Sequence, residues 1–272
     1  MKLIYIAVIG FLTLLFSCSE KYKRNKLPQR ESGLAALNEA MVKSNSIAGF
    51  QKKLNFWKQY LFNNKYNDSV LLSKIHYNIA GVYYQQNILD SVKWHMEQAW
   101  NLMEGQKGNE EEKVLLNAGE GNIANLEERT QEANYFYNQA AQSLITDTSL
   151  QLTPKQKIVI LLAAAQSDEA CSQIDKAIDR NYQALSLLLS RLRDNISLIN
   201  RVYSQLAVAY NASGAHSDSL LKCIHKMEEL YANFPTEVNP RFLYDRKVLY
   251  FSRIQKKDSV LFYQRKLLSD HN

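Results

Sequence analysis

Apolar and polar positions divide the chain into three parts of different character. An uninterrupted apolar run spans residues 3–16, a polar and basic stretch covers residues 19–31, and the remainder spaces its apolar residues by three or four. Phe50, Leu54 and Trp57 show this spacing, which places them on one face of a helix. The pattern predicts an all-α fold with short loops.

Composition supports this prediction. The chain has only nine glycines and four prolines among 272 residues, and 46% of its residues are hydrophobic. A β-sandwich or barrel needs a turn about every 8–12 residues, and disordered chains are poor in apolar residues. Both classes are therefore excluded, and enough apolar material remains for a helical core.

One helix-pair pattern recurs between about residue 70 and residue 270. Each first helix carries a small or compact apolar residue, and a second helix opens about twelve positions later. The residues that mark the second helices are spaced by 41, 44, 43 and 40. These markers are Val92, Ala133, Ala177, Leu220 and Val260. A period of this size is typical of stacked helical repeats.

Polar residues at the helix starts agree with this register. Asp90-Ser91, Asp218-Ser219 and Asp258-Ser259 open second helices, while Thr153-Pro154 and Asn239-Pro240 open first helices. Such side chains accept hydrogen bonds from unpaired N–H groups at a helix N-terminus, which is worth about 1 kcal/mol. We therefore expect them at N-cap positions.

The segment YNIAGVYYQQNILDSVKWHMEQAWNL, residues 77–102, resembles the tetratricopeptide repeat. In that family small residues let two antiparallel helices approach, and aromatic residues fill the space to the next pair. The resemblance covers roughly residues 70–270 as five pairs, and residues 33–63 would add one more. It implies a right-handed α-solenoid of stacked antiparallel pairs over residues 33–272, with first helices lining a concave groove for a protein or peptide partner.

The resemblance also implies which side chains line that groove. Asn holds a peptide backbone through paired donors and acceptors, and Tyr offers amphipathic contact area. The alternative interpretation is a set of solvated helix faces. The two arginines among these positions lie in separate repeats, which argues against a clamp for a C-terminal carboxylate. The predicted groove residues are Tyr77, Tyr84, Asn122, Asn125, Gln166, Glu169, Arg201, Ser204, Asn211, Asp245 and Arg253.

Several residues inside the helices carry packing predictions. Gly119 and Gly121 indicate close helix packing, and the apolar run over residues 158–165 indicates a buried first helix. The second and third repeats offer Ala124 and Asp168 where the family has an aromatic residue. The final helix pair is a candidate surface for contact with a second copy of the chain.

The N-terminus resembles the signal of a bacterial lipoprotein of the Bacteroidota type. Its 14-residue apolar run is too short to span a bilayer of about 30 Å and ends in Leu15-Phe16-Ser17-Cys18. The resemblance implies a signal peptide over residues 1–17 and a lipid anchor, including palmitate, on Cys18. An ordinary secretory signal is the alternative. Residues 18–32 would form a basic tether, and the isolated Glu20 favours a periplasm-facing domain over the cell surface.

Charge adds little support for other partners. The chain carries +6, of which residues 20–31 hold +3 and residues 32–272 about +2. A nucleic-acid-binding protein needs a basic stripe on a folded face. We therefore expect no nucleic-acid partner.

Candidate chemistry is sparse. The sequence has no nucleotide-binding, serine-hydrolase or zinc-protease motif, and His225 with Glu228 and Glu229 falls short of the convergent ligands that zinc requires. We expect no enzyme activity, no cofactor and no metal. Cys171 and Cys223 could pair in an exported protein or remain thiols within helices.

These observations favour a membrane-anchored, non-catalytic lipoprotein that acts as a protein–protein interaction module in the bacterial cell envelope. A glycan- or small-ligand-binding lipoprotein on the same scaffold is the alternative, and exposed aromatic side chains in a platform would favour it. An envelope enzyme would require a convergent trio of titratable residues.

Overall fold

A computed structural model describes residues 29–63, 68–105, 109–147, 149–150, 152–189, 195–214 and 217–269. The predicted signal peptide and Cys18 lie outside the described residues. The described residues form 12 α-helices and no strand, which confirms the predicted all-α class. Among these helices, none combines the length and hydrophobicity that a membrane span requires.

The chain forms two compact units, Met1–Gln156 and Lys157–Asn272. The helices of the first unit are α1 (Gln29–Ser46), α2 (Phe50–Phe62), α3 (Ser69–Tyr84), α4 (Leu89–Met103), α5 (Glu110–Leu126) and α6 (Thr130–Thr146). The later helices are α7 (Pro154–Ala170), α8 (Ile174–Leu189), α9 (Ile196–Ala212), α10 (Ser217–Asn233), α11 (Pro240–Arg253) and α12 (Lys257–Ser269). Helix α1 begins inside the stretch predicted as a tether, so residues 29–32 are helical.

Successive helices pack as antiparallel pairs within each unit. In the first unit α3 packs on α4 and α5 on α6, and in the second α9 packs on α10 and α11 on α12. Neighbouring pairs stack through α4 and α5 in the first unit and through α8 and α9, and α10 and α11, in the second. This succession of stacked helix pairs confirms the predicted helical-repeat fold. Residues 158–165 lie in α7 with nearly all side chains buried, as expected.

The turns inside four of the pairs share one geometry. In each, the N–H of the following residue donates to a carbonyl five positions earlier, as Arg129 does to Ala124 at 2.8 Å. Such a bond satisfies a carbonyl that the end of the first helix leaves unpaired. The turn residues lie five positions before the second-helix markers and take φ between 54° and 61°: Asn87, Glu128, Ser172 and Gln255.

The predicted N-caps of the second helices are wrong, because each helix begins one residue before its aspartate, which lies in the first helical turn. For α4 and α12, the left-handed turns at Asn87 and Gln255 close early enough to start the helix there. These carboxylates still face the positive end of a helix dipole. The aspartates concerned are Asp90, Asp218 and Asp258.

The predicted caps of the first helices are confirmed. Thr153 Oγ1 accepts a hydrogen bond from the Gln156 N–H at 3.3 Å, and Asn239 Oδ1 accepts one from the Arg241 N–H at 2.9 Å. Both prolines that follow these caps stand at the start of a helix, where the missing N–H costs nothing.

Close packing at the two glycines of α5 is also confirmed. A Cβ built on Gly121 would lie 2.7 Å from atoms of the Tyr137 ring, on α6. A Cβ built on Gly119 would lie 2.5 Å from Cε of Met96, on α4. Helix α5 therefore meets both neighbouring helices through bare backbone, and at Gly121 the contact is with a rigid ring that leaves no space for a Cβ.

We expect Gly121→Ala to lower the free energy of unfolding by about 1–3 kcal/mol, because the rigid Tyr137 ring must shift. Gly119→Ala is the matched control, since the end of a flexible methionine can move and alanine favours the helix. Urea denaturation measures both changes. Equal effects of the two substitutions would contradict the prediction.

Candidate partner-binding surface

In the first unit, three tyrosines and one asparagine form a buried cluster. Tyr77 and Tyr84 come from α3, Asn122 from α5 and Tyr137 from α6, and all four are buried. The Tyr137 hydroxyl donates to Asn122 Oδ1 at 2.7 Å. Burial raises the pKa of Tyr84 to about 12 and raises the pKa of Tyr77 and Tyr137 as well, so these phenols stay neutral.

Tyr137 belongs to this cluster although the sequence did not predict it there. Its pKa is raised further by Tyr84 and Tyr77, which shows that the three hydroxyls are close together. The ring lies over Gly121, in the repeat that offers Ala124 instead of an aromatic residue. The second helix thus supplies the ring that the first helix lacks, and the paired small residues of α5 are the signal that could have indicated it.

The predicted groove residues of the first unit therefore differ in exposure. Tyr77, Tyr84 and Asn122 present few atoms to solvent, whereas Asn125 at the end of α5 is exposed. The three buried residues hold α3, α5 and α6 together. Their role toward a partner stays a prediction, and Asn125 is the most accessible of the four.

In the second unit, the predicted groove residues lie on α7, α9 and α11. Gln166 is exposed, Ser204 is buried, and the others are half-buried. The half-buried ones are Glu169, Arg201, Asn211, Asp245 and Arg253.

An arginine that the sequence did not single out joins the acidic members of this set. Burial raises the pKa of both Glu169 and Asp245, while the positive charge of Arg246 lowers each. Arg246 therefore lies near carboxylates from α7 and α11 together. Its Nε atom is buried and has no hydrogen-bond partner among the described residues.

Arg201 on α9 is a half-buried charge. Burial lowers the pKa of its guanidinium, and no hydrogen bond or ion pair joins the side chain to another described residue. A hydrogen bond that involves a charged group is worth about 1.5–3 kcal/mol. The guanidinium is therefore able to gain from an acceptor supplied by another molecule.

Arg253 stabilises the packing of α11 on α9. Its guanidinium donates to the carbonyl oxygens of Gly214 and Tyr210, at and beyond the C-terminal end of α9. Cations at a helix C-terminus satisfy unpaired carbonyls and oppose the helix dipole. Arg253 thus ties α11 to the end of α9, which limits its availability to a partner.

Asp168 replaces the expected aromatic residue of the third repeat with a buried ion pair. Arg180 Nη1 on α8 donates to its Oδ2 at 2.5 Å, and both side chains are nearly inaccessible. Removing one member of such a pair leaves an uncompensated charge and costs about 3–5 kcal/mol. The ion pair therefore joins α7 to α8 at one specific position.

Two histidines meet between α3 and α4. His76 Nδ1 and His95 Nδ1 are 3.0 Å apart, so one Nδ1 donates a hydrogen bond and the other accepts it. The two Nδ1 atoms therefore cannot carry protons at the same time. Burial lowers the pKa of both, and the charges of His76 and Lys58 lower that of His95 further, to about 4. The exposed ring of Trp94 packs edge-on against His95.

Other reactive groups show no assembled chemistry. The described residues contain no cluster of three or more His, Cys, Asp and Glu that could hold a metal ion. Cys171 and Cys223 do not pair with each other. Burial raises the pKa of both thiols, that of Cys223 to about 12, so neither is poised as a nucleophile.

No protein-family model and no curated protein matches this chain. Among solved structures, that of BtubC (BKLC) from P. vanneervenii is similar, with a TM-score of 0.63 and 11% sequence identity. The match covers 82% of this chain and 91% of BtubC. The chain is thus an all-α protein of stacked helix pairs, and similarity at this level of identity extends to the fold alone.

The histidine pair predicts a loss of stability in acid. The unfolded chain binds protons on histidine at a pKa of about 6.5, whereas the folded pair binds them only at lower pH, so stability falls as pH drops from about 7 toward 4. We expect a loss of about 1 kcal/mol at pH 5 relative to pH 7. His95→Gln should reduce this loss in urea denaturation, while the exposed His225→Gln should not.

Proposed function

We propose that this chain is a lipid-anchored, non-catalytic protein-interaction module of a bacterial cell envelope. Two half-buried arginines on first helices of the second unit carry this proposal. Arg201 and Arg246 lie on the contacting helices α9 and α11; Arg201 has no ion-pair partner among the described residues, and Nε of Arg246 has no hydrogen bond there. A protein segment that supplies carboxylates or carbonyls to them would recover free energy that the isolated chain forgoes.

Each unit also offers one exposed amide on a first helix, Asn125 in the first unit and Gln166 in the second. Such amides can pair with the backbone of an extended segment. Within the first unit, the buried groove residues Tyr77, Tyr84 and Asn122 fix the helices that present Asn125. Recognition would therefore rest on a few exposed polar side chains held by a rigid scaffold.

Crosslinking in intact cells tests this proposal. We expect a chain with Asn125→Ala, Gln166→Ala and Arg201→Ala to lose its crosslinked protein partner, because these side chains supply the contacts. The matched control carries Gln139→Ala, Gln142→Ala and Lys222→Ala, which alter exposed side chains on second helices. Equal recovery of partner from both chains, with both folded by circular dichroism, would overturn the proposal.

The lipid anchor has a separate test. We expect Cys18→Ser to abolish incorporation of labelled palmitate, because a serine oxygen cannot take the place of the thiol in the thioether. Cys171→Ser is the control and should retain the label. Attachment by two or more acyl chains is stable where one chain is not, so the labelled chain should also sediment with membranes. Undiminished label in Cys18→Ser would contradict lipidation.

A second candidate function is glycan binding, favoured by exposed aromatic residues at one repeat position. Trp94 and Tyr135 both lie two residues after a second-helix marker and are 52% and 60% exposed. Rings at equal positions on successive second helices could stack against sugars. Absence of any crosslinked protein, together with glycan binding that Trp94→Ala abolishes, would favour this candidate.

A further inference from the structure

The last helix pair of the second unit is uncovered. Helix α9 buries nine side chains, whereas α11 buries only Leu243 and α12 buries none. One side of the pair packs on α9 and α10, and no described residue of the second unit covers the other. Within the described part of the second unit, this pair therefore presents a face that no other helix covers.

Exposed apolar side chains form a narrow stripe along α12. Leu261 and Leu268 lie seven residues apart on the same helix face and are 52% and 71% exposed. Because seven residues make about two helical turns, a second helix lying lengthwise can contact both leucines, while the seam position between them holds the polar Gln264 or Arg265. The stripe thus has the shape of a helix-docking site.

Basic residues are concentrated on the same helix pair. Residues 240–269 contain eight Lys and Arg but only two Asp and no Glu, although the chain as a whole carries only +6. Residues 32–239 therefore carry a small net negative charge. The positive charge of residues 240–269 offsets it, so residues 32–272 together are near neutral. Three of these cations, Arg246, Lys247 and Arg253, are engaged by groups within the unit. The exposed ones make α12 and the turn before it basic: Lys256, Lys257, Arg265 and Lys266.

Two of these cations flank the leucine stripe. On a helix that turns about 100° per residue, Lys257 and Arg265 fall on either side of Leu261 and Leu268. Neither side chain makes an ion pair with a described residue, whereas Lys247 is paired with Glu228. Cations beside an apolar seam select acidic residues at the matching positions of a partner helix.

We propose that the open face of α11 and α12 binds an amphipathic helix with acidic flanks, contributed by a protein partner. A second copy would place Lys257 and Arg265 against the same cations, since a two-fold contact joins identical patches. A membrane-lying helix needs a continuous, broad apolar face. On α12 the exposed Asp258 falls between Leu261 and the exposed Phe262 around the helix and interrupts such a face. This inference rests on the proposed function and gives it a second, separate contact site.

The test measures binding of a labelled synthetic helix to the full chain in mild detergent by fluorescence anisotropy. The probe spans about four heptads, with leucines along the seam and glutamates at the flanks, and a second probe carries lysines in place of the glutamates. We expect the acidic probe to bind and the basic probe not to bind.

Two variants define the site. Lys257→Glu with Arg265→Glu, and Leu261→Ala with Leu268→Ala, should each weaken binding by about tenfold or more. Lys52→Glu with Lys176→Glu is the matched control, since it makes the same change in net charge at exposed positions elsewhere. Thermal melts establish that every variant is folded.

Three results would overturn the inference. One is absence of acidic-probe binding or equal weakening in the control. Another is that the chain floats with phosphatidylglycerol vesicles but not with phosphatidylcholine vesicles, and that Lys257→Glu with Arg265→Glu abolishes this flotation. That result would identify an anionic membrane as the occupant. The third is self-association that Leu261→Ala with Leu268→Ala abolishes in sedimentation. Crosslinking through Asn125, Gln166 and Arg201 would persist in each case if the proposed function is right.

Discussion

The fold depends on the close approach of helices at positions without bulky side chains. Gly119 and Gly121 bring the backbone of α5 against Met96 and Tyr137, and beside the Tyr137 ring there is no room for a methyl group. Such dense packing leaves the neighbouring helices few alternative positions relative to α5. Because the turns within four pairs also share one left-handed geometry, each pair closes in the same way. A regular backbone can therefore carry repeats whose side chains differ.

The repeats differ most where the family-like aromatic residue is missing. In the second repeat the Tyr137 ring from α6 fills the space beside Gly121, and in the third the buried pair Asp168–Arg180 takes its place. A ring stabilises by burial of apolar surface, whereas a buried ion pair stabilises only while both partners remain. Each solution joins one particular first helix to one particular second helix, which favours a single register for the stack.

The two units present different chemistry on their first helices. In the first unit three tyrosines are buried, the Tyr137 hydroxyl donates to Asn122, and Asn125 is left exposed. In the second unit, the half-buried Arg201 has no ion-pair partner among the described residues, and Nε of Arg246 has no hydrogen bond there. The outer helix pair adds exposed cations and leucines. A partner that bound both surfaces would need acidic or carbonyl-rich segments on the second unit and amide-pairing backbone on the first.

The sequence by itself determined the all-α class, the repeat register and the first-helix caps, because helical spacing and capping are local properties. It did not decide which polar residues reach solvent. Tyr77, Tyr84, Asn122 and Asn125 are all predicted to face the groove, yet the first three are buried and only Asn125 is exposed. Tyr137, which hydrogen-bonds Asn122, comes from another helix. Burial depends on side chains that meet only when the helices stack, so only the tertiary structure could separate the supporting residues from the accessible ones.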